Sequence, residues 1–533
     1  MKKSIFAIGI LFALAAVPAG ATPVNLQPST LSLAQILQKH VRAVGVPLRT
    51  IRTSLTVTST VEEGLTGSIR TVESGTDYRS DHTRGDLHTA RGTIGGVAWR
   101  QNTNGFVILA SKIHNEDAIN AQARARLDRG DLAGATLLGT VSDPVSAYVV
   151  RIDPPGGRKE YLFYDTTSFY LVRTERMVEG QEIDTSFSDF RLTNGQERAW
   201  HIRLHDSKQR NISDFHVVSV TNGIAVTPAM LAIPAPASNH LVLGSSSAEI
   251  PTSFDSDRII VHATLAHHPV NFLLDSGSST VLLNSDVARA VGLKIVGSMS
   301  ETAGGRFSAG YATLPKLTLG SVVLRNLVVQ TAPFEEVRAD GSPIAGLLGF
   351  DALANGVIHI DYVKHRVDLL DAGVFSPPAN ARVLSIADGD EVPMMQADVA
   401  GALGTTFIMD TGADRSMLFR AFVRAHSAVL KDHGLGRIIQ MAWPASESIG
   451  GVGGLVSVGE RQVSSLGIAG FSLPRWLFLV PVHAPGFEHE DFDGLIGQDI
   501  LRFFDVYLDY PHLKVYLVPN SRYLARFGTP SGA

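Results

Sequence analysis

The feature that most constrains this chain of 533 residues is a repeat in its second half. Asn271-Phe272-Leu273-Leu274-Asp275-Ser276-Gly277-Ser278-Ser279 recurs as Thr406-Phe407-Ile408-Met409-Asp410-Thr411-Gly412-Ala413-Asp414. Gly346-Leu347-Leu348-Gly349-Phe350-Asp351 recurs as Gly494-Leu495-Ile496-Gly497-Gln498-Asp499, and Ile360-Asp361-Tyr362 recurs as Leu508-Asp509-Tyr510. The first two marks are 71 residues apart in one copy (275 to 346) and 84 in the other (410 to 494). The second and third are 15 apart in both (346 to 361, 494 to 509). Chance similarity between apolar strands does not keep three marks in one order at such spacing. Two copies of one supersecondary unit are implied.

Each first mark is an apolar strand that ends in an aspartate. A buried strand delivers that carboxyl into a low-dielectric region. The glycine two residues on permits a tight turn and close approach of a second backbone. Two such turns meeting about a pseudo-twofold axis would bring Asp275 and Asp410 together, where both cannot ionise easily and the pair shares a proton. The alternative is that each aspartate merely caps its own turn.

These residues resemble the aspartic protease superfamily in its retropepsin-like and pepsin-like, two-lobed bacterial forms. The resemblance spans roughly residues 250 to 520 and rests on Asp275-Ser276-Gly277, Asp410-Thr411-Gly412, Leu347-Leu348-Gly349 and Leu495-Ile496-Gly497. It implies a mainly β, bilobal acid-protease barrel fold built from two homologous lobes, with Asp275 and Asp410 as the catalytic pair. It also implies that Ser276 and Thr411 bond across the lobe junction, and that Leu348, Gly349, Ile496 and Gly497 buttress the catalytic loops. Such a dyad activates water without a covalent intermediate, metal or cofactor.

The copies differ after the glycine. Ser278 has a hydroxyl able to donate to Asp275, whereas Ala413 has none for Asp410. On this reading Asp275 is the more easily ionised. Gly304 and Gly305 in one copy, and Gly451, Gly453 and Gly454 in the other, fall where the family carries a flap over the substrate; ordinary hairpin turns are the competing reading. The second glycine run lacks the Lys-Ser/Thr and the full Gly-x-Gly-x-x-Gly of nucleotide loops. His267-His268-Pro269 reads as a turn, and His483, His489, Glu490 and Asp491 as a solvated loop. Asp361 and Asp509 read as turn residues after strands. No His-Glu-x-x-His or Gly-x-Ser-x-Gly is present.

Lys2 and Lys3, the apolar run Ile5 to Val17 and Ala19-Gly20-Ala21 read as a signal peptide over residues 1–21, predicting a periplasmic or secreted protein. Residues 22–227 read as a β-rich α+β accessory domain: helical spacing over Leu31 to Val46 and Asn115 to Gly134, and alternating strands such as Leu55 to Val61, Ser146 to Ile152 and Ile183 to Leu192. Gly95-Gly96-Val97-Ala98-Trp99, with Tyr164-Asp165 and Tyr170 to Arg173, is faintly similar to the half-barrel lipoprotein carriers of the bacterial envelope. That likeness implies a lipid or lipoprotein partner; a peptide-binding, inhibitory or stabilising role is equally open. Prolines 228, 234, 236 and 251 mark a linker over 228–251. Lobes over 252–373 and 374–522 and a tail over 523–533 complete the reading.

Composition narrows the function. There is no cysteine, so thiol catalysis, Cys-ligated metal and disulfides are excluded. A net charge of −5 offers no basic excess for nucleic acid. One chain supplies both aspartates, so a monomer suffices. The expectation is an exported aspartic endopeptidase acting on a peptide or protein; the alternative is a non-catalytic envelope protein that retains the fold and binds a lipid, lipoprotein or peptide.

Overall fold

In the computed structural model, the described residues are 5–6, 26–45, 52–109, 112–178, 181–206, 211–235, 241–302, 306–338, 340–389, 391–431, 447–451, 454–483 and 492–530. The chain is mainly β. Val17–Pro236 and Ala237–Ala533 form two compact units. The expected signal segment lies outside the described residues except for Ile5 and Phe6; Gly304, Gly305, Gly453, His489, Glu490 and Asp491 lie outside them as well.

The first unit is one antiparallel sheet of 13 strands. Its first six strands run outward from Thr53–Glu62 to Val107–Leu109, and its last seven return from Ala135–Val141 to Ile212–Asn222, so that Thr53–Glu62 and Ile212–Asn222 pair at the middle. Helix Leu33–Val44 starts at a Ser32 capping box with Gln35 and stops at Gly45, whose φ of 81° suits glycine. It buries Ile36 and Leu37 against Val150, Leu162 and Leu127, the last from helix Lys112–Leu127. Trp99 is buried, its ring against Gly92, where a Cβ would lie 2.9 Å from it.

The second unit repeats one strand order. In its first half Val322–Ala332, Leu282–Asn284, Gly346–Leu348, His268–Leu274 and Arg258–Leu265 lie side by side; in its second half Phe471–His483, Met417–Leu418, Gly494–Ile496, Ala402–Met409 and Val392–Val399 do so. The cores match row by row. Ile260, Leu273, Leu282 and Leu347 fill one, and Met394, Ile408, Met417 and Leu495 fill the other, in equivalent pairings. A six-stranded sheet draws on both halves. In it Val357–Asp361 runs antiparallel to Phe504–Asp509, pairing His359 with Tyr507, whose rings stack at 4.2 Å.

The stretch read as a linker over 228–251 is ordered structure at both ends. Pro228–Leu231 is helix, and Leu241–Val242 and Ser247–Ile250 are strands of the second unit. Ala248 and Ile250 are buried while Ser247 and Glu249 are exposed, the alternation of an edge strand, and the nearby prolines mask it. The tail expected from residue 523 begins inside helix Ser521–Phe527, because Asn520 caps that helix and Tyr523 is buried beneath it. His267 sits in the expected turn: Ala266 and His267, at φ 48° and 70°, form the two-residue hairpin between Arg258–Leu265 and His268–Leu274.

Candidate active site

Asp275 leaves its strand at a fixed point. His268–Leu274 pairs in parallel with Gly346–Leu348, and the Asp275 N–H donates to the Leu348 carbonyl at 3.0 Å. Asp410 is placed identically: Ala402–Met409 pairs with Gly494–Ile496, and the Asp410 N–H donates to Ile496 at 3.0 Å. The loops then pack on the second glycine of each second mark, Gly349 and Gly497. A Cβ on Gly349 would lie 2.2 Å from the Thr280 carbonyl oxygen, and one on Gly497 2.7 Å from that of Ala413. Larger residues would therefore push the loops away.

The loops meet. A Cβ on Gly277 would lie 2.6 Å from Asp410 Cγ, and one on Gly412 2.6 Å from Asp275 Cγ. Each carboxylate thus rests against the other half's glycine, and both aspartates are fully buried. Between them the hydroxyls cross. Thr411 Oγ1 accepts from the Ser276 N–H at 2.9 Å and donates to the Leu274 carbonyl at 3.1 Å. Ser276 Oγ accepts from the Thr411 N–H at 3.0 Å and donates to the Met409 carbonyl at 2.7 Å. Four buried backbone groups at the junction are satisfied by two side chains, a requirement for polar groups this deep.

Ser278 does not do what its position suggests. Its hydroxyl donates to the Thr280 carbonyl at 2.8 Å and does not reach Asp275. The donors to the carboxylates are backbone groups. Asp275 Oδ1 accepts the Gly277 N–H at 2.9 Å, while Asp410 Oδ1 accepts both Gly412 and Ala413 N–H, at 2.8 and 3.0 Å. Burial first, then the Asp410 charge and a hydrogen bond with it, hold the Asp275 carboxyl well above the ordinary carboxylate range. The Ser278 contact on which the expectation of an easily ionised Asp275 rests is not formed. Asp410 Oδ1 thus takes two backbone donors where Asp275 Oδ1 takes one.

Residues beyond the motifs complete the site. Asp351 accepts from Thr280 Oγ1 at 2.8 Å, and Asp499 accepts from Ser416 Oγ at 2.6 Å and from Ser416 N–H at 2.9 Å, so the aspartate closing each second mark ties down the loop after each buried aspartate. Gln498 Nε2 donates to the Thr411 carbonyl. The recurrence of Asp351 and Asp499 was the signal for the first two; Gln498 replaces Phe350 and left none. Glu336 forms an ion pair with Arg258, and its charge acts on both Asp275 and Asp414. Burial pushes the Asp414 carboxyl up to about 7 against the opposing Arg258, with Glu336, Asp257 and Asp499 adding to the rise.

The flap glycines are only partly placed. Gly451 pairs with Gly454 at the end of the hairpin Glu447–Gly451 and Gly454–Ile468. Asp361 and Asp509 accept N–H groups of the turns that follow them, from Lys364 at 2.8 Å and from His512 at 3.2 Å. One further group comes together in the first unit: His201, Asp214 and His216.

Residues 261–352 match the family model described as aspartyl protease. No curated protein matches the chain. Among solved structures, an aspartic proteinase from Irpex lacteus is similar over 52% of this chain and 99% of its own, at 13% identity and a TM-score of 0.35. A LolA superfamily protein from Nitrosomonas europaea is similar over 38% of this chain and 99% of its own, at 15% identity and a TM-score of 0.28. A DUF1329 family protein from Desulfovibrio piger is similar over 39% and 98%, at 15% identity and a TM-score of 0.28.

Proposed function

We propose that this protein is an exported, two-lobed aspartic endopeptidase, its lobes related by internal duplication, that hydrolyses peptide bonds through water activated by Asp275 and Asp410. The observation that carries this reading is the mirrored junction. Two buried carboxyls rest against each other's loop glycine, held by reciprocal Ser276 and Thr411 bonds. A strand-end cap needs no such partner.

The chemistry follows from the donors. In this reading Asp410, whose Oδ1 accepts two backbone N–H groups, is the base and takes a proton from water. The water oxygen bonds to the peptide carbonyl carbon while Asp275 gives its proton to the carbonyl oxygen. In the second step the proton on Asp410 passes to the amide nitrogen, the C–N bond breaks, and a hydroxyl proton of the intermediate returns to Asp275. The dyad ends as it began. The apolar strands around it exclude bulk water, which strengthens each of these interactions.

Lys2, Lys3 and the apolar run to Val17 support export to the periplasm or beyond. No helix among the described residues is long and apolar enough to cross a membrane. A single chain provides both carboxyls, so the active species is a monomer. The test is cleavage of a denatured protein and a mixed peptide pool by the purified chain from acid to neutral pH, read by mass spectrometry. Defined cleavage products are expected. No cleavage at any pH, with a lipid co-purifying, would favour a non-catalytic binding protein.

A further inference from the structure

The first unit carries a second cluster of chemically capable side chains, independent of the protease reading. Asp214 and His216 are two apart on strand Ile212–Asn222 and share a face. His201, on the neighbouring strand Gln196–Asp206, is the direct cross-strand partner of His216. The three offer one ligand atom each, all within 4.8 Å of one another. His201 Nε2 lies 2.9 Å from Asp214 Oδ1, and the two imidazoles stack at 4.2 Å. Ser188 Oγ lies 3.0 Å from His201 Nδ1. A second acid is near: the Asp189 carboxyl is held below the ordinary range first by Arg191 and further by the charges of His201 and His216. Asp189 has a φ of 52° and falls between the paired residues Ser188 and Phe190, where the register does not shift.

We propose that His201, Asp214 and His216 form a binding site for a late first-row divalent cation such as Zn²⁺. Two imidazoles and a carboxylate are borderline ligands suited to zinc, nickel or copper(II) and poor for magnesium or calcium, which take oxygen. Tetrahedral bonds of about 2.0–2.1 Å need ligand atoms roughly 3.3 Å apart. The His201–Asp214 pair is already near that separation. His216 is exposed, so its side chain can turn in to close the triangle. Ser188, accepting from Nδ1–H of His201, leaves Nε2 to face the metal, as outer-shell partners of ligating histidines do. The competing cation is Arg203, whose Nε lies 4.0 Å from Asp214 Oδ1; it is half exposed and free to withdraw. The fourth position is open to water. A metal takes imidazole nitrogens and a carboxylate only when they carry no proton, so affinity falls as pH falls.

The test is calorimetric titration of the full chain with zinc chloride, at pH 7.5 and 5.5, beside Asp214→Asn and the double variant His201→Ala/His216→Ala, with His205→Ala as control. One equivalent should bind at pH 7.5 and much more weakly at 5.5. Asp214→Asn, which preserves shape, should weaken that equivalent at least about tenfold, the double variant should abolish it, and His205→Ala should leave it intact. Zinc binding unchanged by Asp214→Asn and the double variant, or no binding by the parent chain, would overturn the proposal.

Discussion

At the scale of single residues, the site depends on two hydroxyls more than its chemistry suggests. Thr411 Oγ1 serves the Ser276 N–H and the Leu274 carbonyl at once, both buried. Thr411→Ala takes that oxygen from both groups, and each such loss costs about 1–3 kcal/mol, so a loss of roughly 2–6 kcal/mol is expected by denaturant titration. Thr411→Ser keeps the oxygen and should stay within about 1 kcal/mol of the parent. Equal losses in both variants would show that the methyl group, not the crossed bonds, holds the junction. These residues were legible in the sequence because each belongs to a repeated tripeptide. The partner of Ser278 is not legible in the sequence for a physical reason. Which donors reach a carboxylate is decided by backbone dihedrals in the turn, and the Gly412 and Ala413 N–H groups look like any others in the sequence.

At the scale of elements, strands with strong alternation or strong apolarity were readable. Those read over Leu55 to Val61, Ser146 to Ile152 and Ile183 to Leu192 form as Thr53–Glu62, Ala147–Ile152 and Gln181–Thr193. Ser247–Ile250 was lost among prolines, because four alternating residues are a weak signal beside strong breakers. Charge brought together by separate elements was not readable at all. Arg258 begins one strand, Glu336 lies in a short strand 78 residues on, and Asp414 follows the Asp410 turn. Their meeting makes a prediction. The Asp414 carboxyl, at about 7 in the folded chain, compares with about 3.9 for a free aspartate. The folded state therefore holds the extra proton between about pH 4 and 7, and stability falls as pH rises through that window. Asp275, Glu336 and Asp499, all raised, act in the same direction. Urea midpoints measured from pH 4.5 to 7.5 should decline in the parent and decline less in Asp414→Asn. Parallel declines would mean that Asp414 keeps an ordinary affinity for its proton.

At the scale of the whole molecule, the second unit is fastened by a sheet that neither half could make alone. Val357–Asp361 and Phe504–Asp509, which carry the third marks of the repeat, pair with each other, and strands of both halves flank them. Separating the dyad would require breaking that ladder as well as the Ser276–Thr411 bonds. The repeat revealed two copies but not this partnership, because long-range pairing leaves no periodic trace in a sequence. With no cysteine in the chain, the junction relies on hydrogen bonds and apolar burial. The central claim is that Asp275 and Asp410 act as one proton-sharing pair. It is tested most directly by kcat/KM on a cleaved peptide for the parent, Asp275→Asn and Asp410→Asn across pH. Both variants should lose at least about a hundredfold at every pH, since each removes one half of an acid–base couple; a variant that cleaves at the parent's rate would contradict it.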